Sequence, residues 1–188
     1  TGLIVEADNE SQLASVLAHE IAHVTQRHAA RRKEASAKQA PMTIAGIVGA
    51  LLLSAVNPQA MLATMMATTA GAQQASINYT RGNEQEADNI GMNVLVASGY
   101  DPYAAGEFFE KLQQQARYRA NMLPFLVTHP LEDSRVTDAR LRAQQFEKRF
   151  IADSLEFLLM KARIQARYGE LAKAKTLLPL LRENVEKQ

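Results

Sequence analysis

Residues 15–24 read Ser15-Val16-Leu17-Ala18-His19-Glu20-Ile21-Ala22-His23-Val24, and this stretch decides how the chain is understood. Apolar residues at Leu13, Val16, Leu17, Ile21 and Val24 keep a helical period, with Asp8-Asn9-Glu10-Ser11-Gln12 ahead of them as an Asn cap followed three residues later by Gln. A helix over about 10–33 is expected, ending among Arg27, Arg31, Arg32 and Lys33, cations that suit the negative end of its dipole. On that helix His19 and His23 stand one turn apart on one face, so both imidazoles reach a single cation. Glu20 sits beside the first of them, placed to serve a water at the metal rather than the metal itself. The chain's own His and Glu frequencies give a chance expectation of about 0.006 for His-Glu-x-x-His. Two surface histidines on an amphipathic helix are the bland alternative, and Leu17, Ile21 and Val24 argue for a buried neighbourhood instead.

Zinc held by two histidines needs a third protein ligand, and the chain has no cysteine. His28 lies nine residues past His19, on the far side of the same expected helix, and reads as a polar-face residue that cannot share the metal. Asn83-Glu84-Gln85-Glu86-Ala87-Asp88 is the best carboxylate source. Glu84 and Asp88 are four apart on one face, while Glu86 points elsewhere. One of the pair can bind metal and the other accept the Nδ1 proton of a ligand histidine. An acidic first turn favoured by the helix dipole would suit all three equally well.

The 188 residues carry 21 basic against 20 acidic side chains, and 47% are apolar. A chain of this length buries roughly 70% of its unfolded surface, so it builds a core without disulfides. The near-zero net charge leaves no electrostatic footprint for nucleic acid, and none is expected as a partner. The charges are unevenly spread, however: residues 39–80 contain no Asp, Glu, Lys, Arg or His. Within them Ile44, Ile47, Val48, Leu51, Leu52 and Ala55 keep a 3.6 period, Asn57-Pro58 interrupts, and Met61, Leu62, Met65, Met66 and Thr69 resume it. An uncharged helical hairpin over 41–72 is expected. Its arms of about 12–15 residues span roughly 20 Å, too short to cross a ~30 Å hydrocarbon layer. It is either a buried element of the core or a lid beside the cleft resting on a membrane surface or apolar partner, with Met61, Met65 and Met66 as an adaptable face.

Further along, Gly82-Asn83 is read as opening a helix that Gly99 stops, and Asp101-Pro102 as capping another that carries Phe108, Phe109 and Leu112. Residues 121–130 read as a loop ending in His129-Pro130, and Val136, Ala139, Ala143 and Phe146 mark a further helix. From about 150, Leu155, Leu158, Leu159, Ala162 and Ile164, a Tyr168-Gly169-Glu170 turn, then Leu171, Ala174, Leu177 and Leu178 resemble one tetratricopeptide unit, which cannot bury its apolar face alone. The opening Thr1-Gly2-Leu3-Ile4-Val5 has no Met and no targeting pattern, so the sequence reads as a piece of a longer protein.

Taken together, Ser15 to Val24, Asn83 to Asp88, and Thr128-His129-Pro130 with Ser134-Arg135 resemble the gluzincin family of membrane-linked zinc metallopeptidases that includes HtpX and the CAAX prenyl proteases, most closely its periplasmic type with C-terminal tetratricopeptide repeats. The resemblance implies a mainly α fold: a zincin-like metallopeptidase core over 1–149, lacking most of its N-terminal sheet, then the start of a tetratricopeptide array over 150–188. It implies one Zn2+ per chain held by His19, His23 and Glu84, Glu20 as base, and Asp88 as the acid behind a ligand. It places His129 beside the metal, where it either donates to the oxyanion or occupies the open coordination position and keeps the enzyme latent. Arg135 is then a substrate or intermediate contact, or simply a helix-face ion pair. The implied activity is endopeptidase cleavage of misfolded or misassembled outer-membrane proteins in the Gram-negative periplasm, with the assembly machinery as partner through the repeats. Two other readings stay open: a chaperone or docking module whose catalytic site is mostly closed, and a non-proteolytic structural zinc protein, which would call for four protein ligands.

Overall fold

A computed structural model describes residues 2–118 and 124–168, and among these every regular element is an α-helix. In chain order they are α1 (Gly2–Glu6), α2 (Glu10–Thr25), α3 (His28–Leu53), α4 (Pro58–Ala97), α5 (Tyr103–Tyr118), α6 (Pro124–Thr128), α7 (Asp133–Ala143) and α8 (Leu155–Tyr168). The chain forms two compact units, one built from residues 1–18 with 92–188 and the other from 19–91.

The first unit is organised around α5. Its Ala104, Phe108 and Leu112 repeat every four residues and are buried, as the amphipathic pattern requires. Phe108 and Leu112 pack with Ala7, Val16 and Leu126, and Phe109 packs with Val136 and Ala139 of α7. Close approach of α5 and α7 depends on Gly106, where a Cβ would stand 3.1 Å from Arg140 Cγ. The turn into α5 is built as its sequence suggests: Gly99 takes φ 89° after α4, and Asp101 Oδ1 accepts from the Tyr103 amide at 3.2 Å. α8 docks in this unit through reciprocal caps, the Glu10 amide donating to Asp153 (2.6 Å) and the Ser154 amide to Glu10 (2.8 Å). Lys161 Nζ adds a bond to the Ala7 carbonyl at 2.5 Å. Phe157 is its buried anchor, while Leu155, Leu159 and Met160 are exposed. The expected second helix of the repeat, with Leu171, Ala174, Leu177 and Leu178, lies outside the described residues.

The second unit departs from the sequence reading in three ways. First, the helix expected to reach residue 33 stops at Thr25. Arg27 adopts a left-handed conformation (φ 54°, ψ 37°), and α3 starts at His28. No Gly or Asn marks the break, and a non-glycine residue held there costs about 1–3 kcal/mol. Second, the hairpin is much longer than 41–72. α3 has 26 residues, about 39 Å, and continues through Pro41. The helix expected to open at Gly82 is the far end of the 40-residue α4, about 60 Å long. Its arms meet as an antiparallel pair, with Gly46 against Thr68 and Gln39 Nε2 donating to the Ala72 carbonyl at 3.4 Å. By length and composition α3 is able to cross a membrane, which corrects the expectation of arms too short to do so. Third, the hairpin is not a buried element. Met42, Ile44, Val48, Leu51, Leu52, Val56, Leu62 and Met66 are all exposed.

Two smaller corrections concern faces. Leu17, Ile21 and Val24 are exposed, because α2 buries Ser15, Val16, Ala18, His19 and Ala22 instead. Within the expected loop 121–130, Pro124 to Thr128 form α6, and residues 121–123 are not among those described.

Candidate metal centre

The i, i+4 spacing on α2 brings His19 Nε2 to 3.0 Å from His23 Nε2, with the rings edge to face. Glu84, on α4, completes the group: Oε2 stands 3.4 Å from His19 Nε2 and Oε1 3.3 Å from His23 Nε2. Ligand atoms at the usual 2.0–2.1 Å from a tetrahedral cation would be about 3.3 Å apart, so the three side chains already hold the spacing of one face of such a tetrahedron. Glu84 is only 2% exposed and His19 3%. Two imidazole nitrogens and a carboxylate converging out of water call for a cation between them. The donor set therefore fits a metal ion of the kind the motif implies.

What stands behind each histidine fixes which nitrogen carries the proton. His19 Nδ1 lies 2.9 Å from Asp88 Oδ1, four residues after Glu84 on the same face of α4. A carboxylate there keeps the proton on Nδ1 and leaves the Nε2 lone pair facing Glu84. Behind His23 stands a residue whose role the sequence did not disclose. The left-handed Arg27 turns His28 inward, and its Nδ1 lies 2.8 Å from His23 Nδ1. His28 Nε2 is in turn 3.2 Å from Glu86 Oε2, which accepts from Arg31 Nη1 at 2.9 Å. His28 is 2% exposed, so the reading of a polar-face residue is overturned; Glu86, expected to point elsewhere than Glu84 and Asp88, faces His28 and Arg31. Burial holds the His28 pKa below its ordinary value, against the hydrogen bond to Glu86, which raises it. Glu86 is lowered, chiefly by its bond to Arg31.

The remaining candidates are placed as follows. Glu20 is half-buried on α2 beside His19. His129 belongs to the first unit, directly after α6. Its amide donates to the Phe125 carbonyl at 2.9 Å and its ring stacks on Phe125 at 4.8 Å between centroids. The following Pro130 ends the helix there. Arg135 is 2% exposed on α7, which is at odds with an open substrate contact. Its Nη1 donates to the Pro130 carbonyl at 2.7 Å and its guanidinium lies over the Phe109 ring, so it fastens the segment that carries His129.

Comparison with known proteins agrees with this geometry. The model of peptidase family M48 matches residues 1–143. A beta-barrel assembly-enhancing protease of Yersinia pestis is 50% identical over 180 residues, covering 96% of this chain and 37% of the relative. Its counterpart in Escherichia coli (strain K12) is 51% identical over 163 residues, 87% of this chain and 34% of that protein. A mitochondrial metalloendopeptidase OMA1 of Arabidopsis thaliana is 31% identical over 130 residues, 69% of this chain and 24% of its own length. The chain thus spans about a third of the bacterial relatives.

Proposed function

The chain belongs to peptidase family M48, and from that premise we propose that it is a zinc-dependent metalloendopeptidase acting on proteins of outer-membrane assembly in the periplasm. The observation that carries this reading is the convergence of His19, His23 and Glu84 at metal-binding distances on two helices. Zinc, when bound, polarises the scissile carbonyl and lowers the pKa of a water toward ~7. Glu20 accepts the proton of the attacking water and delivers it to the leaving amine. Asp88 holds the His19 proton on Nδ1, so that Nε2 keeps its lone pair for the metal. Glu20→Gln should keep its zinc and lose cleavage of an unfolded protein by about 10²–10⁴-fold. Persisting turnover in that variant overturns the mechanism. If that inactive variant still performs the cellular task, the chain works as a chaperone or docking module in envelope assembly instead.

His129 is assigned the open coordination position in a resting, latent state, following the family resemblance. Arg135 acts on it indirectly, through the Pro130 carbonyl. His129→Ala should then raise proteolysis. A fall in activity at unchanged zinc content would instead make His129 an oxyanion donor.

The substrate class is carried over from the bacterial relatives, which are beta-barrel assembly-enhancing proteases. Residues from about 150 onward are assigned to a tetratricopeptide array that binds the assembly machinery. The hairpin is assigned a peripheral membrane contact over 41–72. What favours it is the row of exposed apolar side chains on α3 and α4, next to exposed Arg31, Arg32, Lys33 and Lys38, which suit anionic headgroups.

A further inference from the structure

The two ligand histidines are held by different chemistry. His19 leans on a carboxylate directly, whereas His23 leans on another imidazole. We propose that His28 is a positioning residue of the metal centre, which accepts the Nδ1 proton of His23 and, with its own ring fixed by Glu86, makes His23 present Nε2 to the cation. The inference rests on the reading of His19, His23 and Glu84 as metal ligands.

Proton counting carries it. Two neutral imidazoles facing each other through Nδ1 atoms 2.8 Å apart share one proton, so one ring donates and the other accepts. If His28 were the donor, the proton of neutral His23 would sit on Nε2, pointing between His19 and Glu84 and blocking ligation. Glu86 removes that alternative. Its carboxylate has no proton to give and faces His28 Nε2 at 3.2 Å, so His28 carries its proton on Nε2 and offers a lone pair at Nδ1. His23 must then hold its proton on Nδ1 and leave Nε2 unprotonated. Arg31, which donates to the same carboxylate oxygen at 2.9 Å, holds Glu86 in place. The order of donation is thus His23 to His28 to Glu86, and the left-handed Arg27 is what brings His28 into line. A continuous helix would have turned it to the opposite side.

The test uses chelator competition to measure zinc affinity in the full chain, with the ligand-field spectrum of the cobalt-substituted protein alongside. His28→Leu fills the buried space without an acceptor, while His28→Asn restores an acceptor near the Nδ1 position. His28→Leu should weaken zinc binding about 10–100-fold and alter the cobalt spectrum, with His28→Asn recovering most of both. Unchanged affinity in His28→Leu, or an Asn variant no better than the Leu one, overturns the inference while leaving the metal site intact. A wild-type chain that binds no zinc overturns the metal reading itself. Should the Leu variant fail to fold, the ¹⁵N shifts of the wild-type zinc form decide: His23 protonated on Nδ1 and His28 on Nε2 support the assignment, and His28 protonated on Nδ1 refutes it.

Discussion

The two ends of the α3–α4 hairpin hold opposite populations of side chains in the wrong places for an ordinary helical protein. At the metal end, polar groups are buried: Glu84 and His28 are 2% exposed. At the distal end, apolar groups are exposed, Leu52 by 72% and Val56 by 85%. Neither arrangement stabilises an isolated chain. Converging donors out of water cost free energy until something balances them, and a continuous apolar surface costs free energy until something covers it. On the function proposed above, each inversion marks a place where the fold is completed from outside, by a cation at one end and an apolar surface at the other. In the first unit, by contrast, Phe108, Leu112 and Ala143 are buried as ordinary apolar packing requires.

The comparison breaks most visibly at the metal end. Glu84→Gln removes a donor from the face that His19 and His23 share. Zinc affinity should fall by more than the ~10–100-fold expected for losing only a ligand's supporting partner. Asp88→Asn should stay within that smaller range, because the ligand remains and only its tautomer loses support. Isothermal titration with zinc on both variants checks the order. If Asp88→Asn proves the more damaging, the assignment of ligand and support on α4 is reversed.

At the distal end the expected signature is a large change in binding with little change in stability. Leu52→Lys, Val56→Lys and Met66→Lys each place a charge at a position already in water, so each should shift folding stability by no more than about 0.5 kcal/mol. Together they should abolish co-flotation with vesicles of phosphatidylethanolamine and phosphatidylglycerol. Chemical denaturation measures the first effect and flotation the second. A cost of several kcal/mol would mean that these side chains are covered within the protein, and unaltered flotation would remove the membrane as the partner.

This contrast also explains what was legible in the sequence. His19 and His23 stand at i, i+4, as do Glu84 and Asp88, a spacing that helix geometry converts into one face; spacing left Glu84, Glu86 and Asp88 equally open as the carboxylate, and only the family resemblance singled out Glu84 as ligand and Asp88 as its support. His28 could not, because its position depends on the left-handed Arg27, a strained choice that no glycine, asparagine or proline announces. Helix lengths were misread for the converse reason. Pro41, Gly71 and Gly82 are ordinary breakers, yet α3 and α4 run through them. A glycine inside a helix costs only about 1 kcal/mol, which a long helix absorbs. The period of the apolar residues from Ile44 to Thr69 correctly indicated helices, but periodicity does not say whether protein or something else covers the face.

The smallest effect concerns how the distal arms hold together. A Cβ added at Gly46 would stand 2.6 Å from both Cγ2 and Oγ1 of Thr68, closer than side chains approach, and 3.2 Å from its Cβ. Thr68 is β-branched and cannot easily turn both atoms away inside a helix. Gly46→Ala would gain about 1 kcal/mol of helix propensity and lose about 1–3 kcal/mol to the forced contact. The net outcome should be a modest destabilisation, read as a lowered denaturation midpoint. Combining it with Thr68→Ala removes both atoms at 2.6 Å and should recover the midpoint, leaving the propensity gain visible. Zinc affinity should be unaffected throughout, since Gly46 and Thr68 lie far along the arms from Glu84. If the single substitution stabilises the chain, the arms are not in contact at Gly46. The distal hairpin is then held by whatever covers its apolar face rather than by its own packing, which would sharpen the contrast with the metal end.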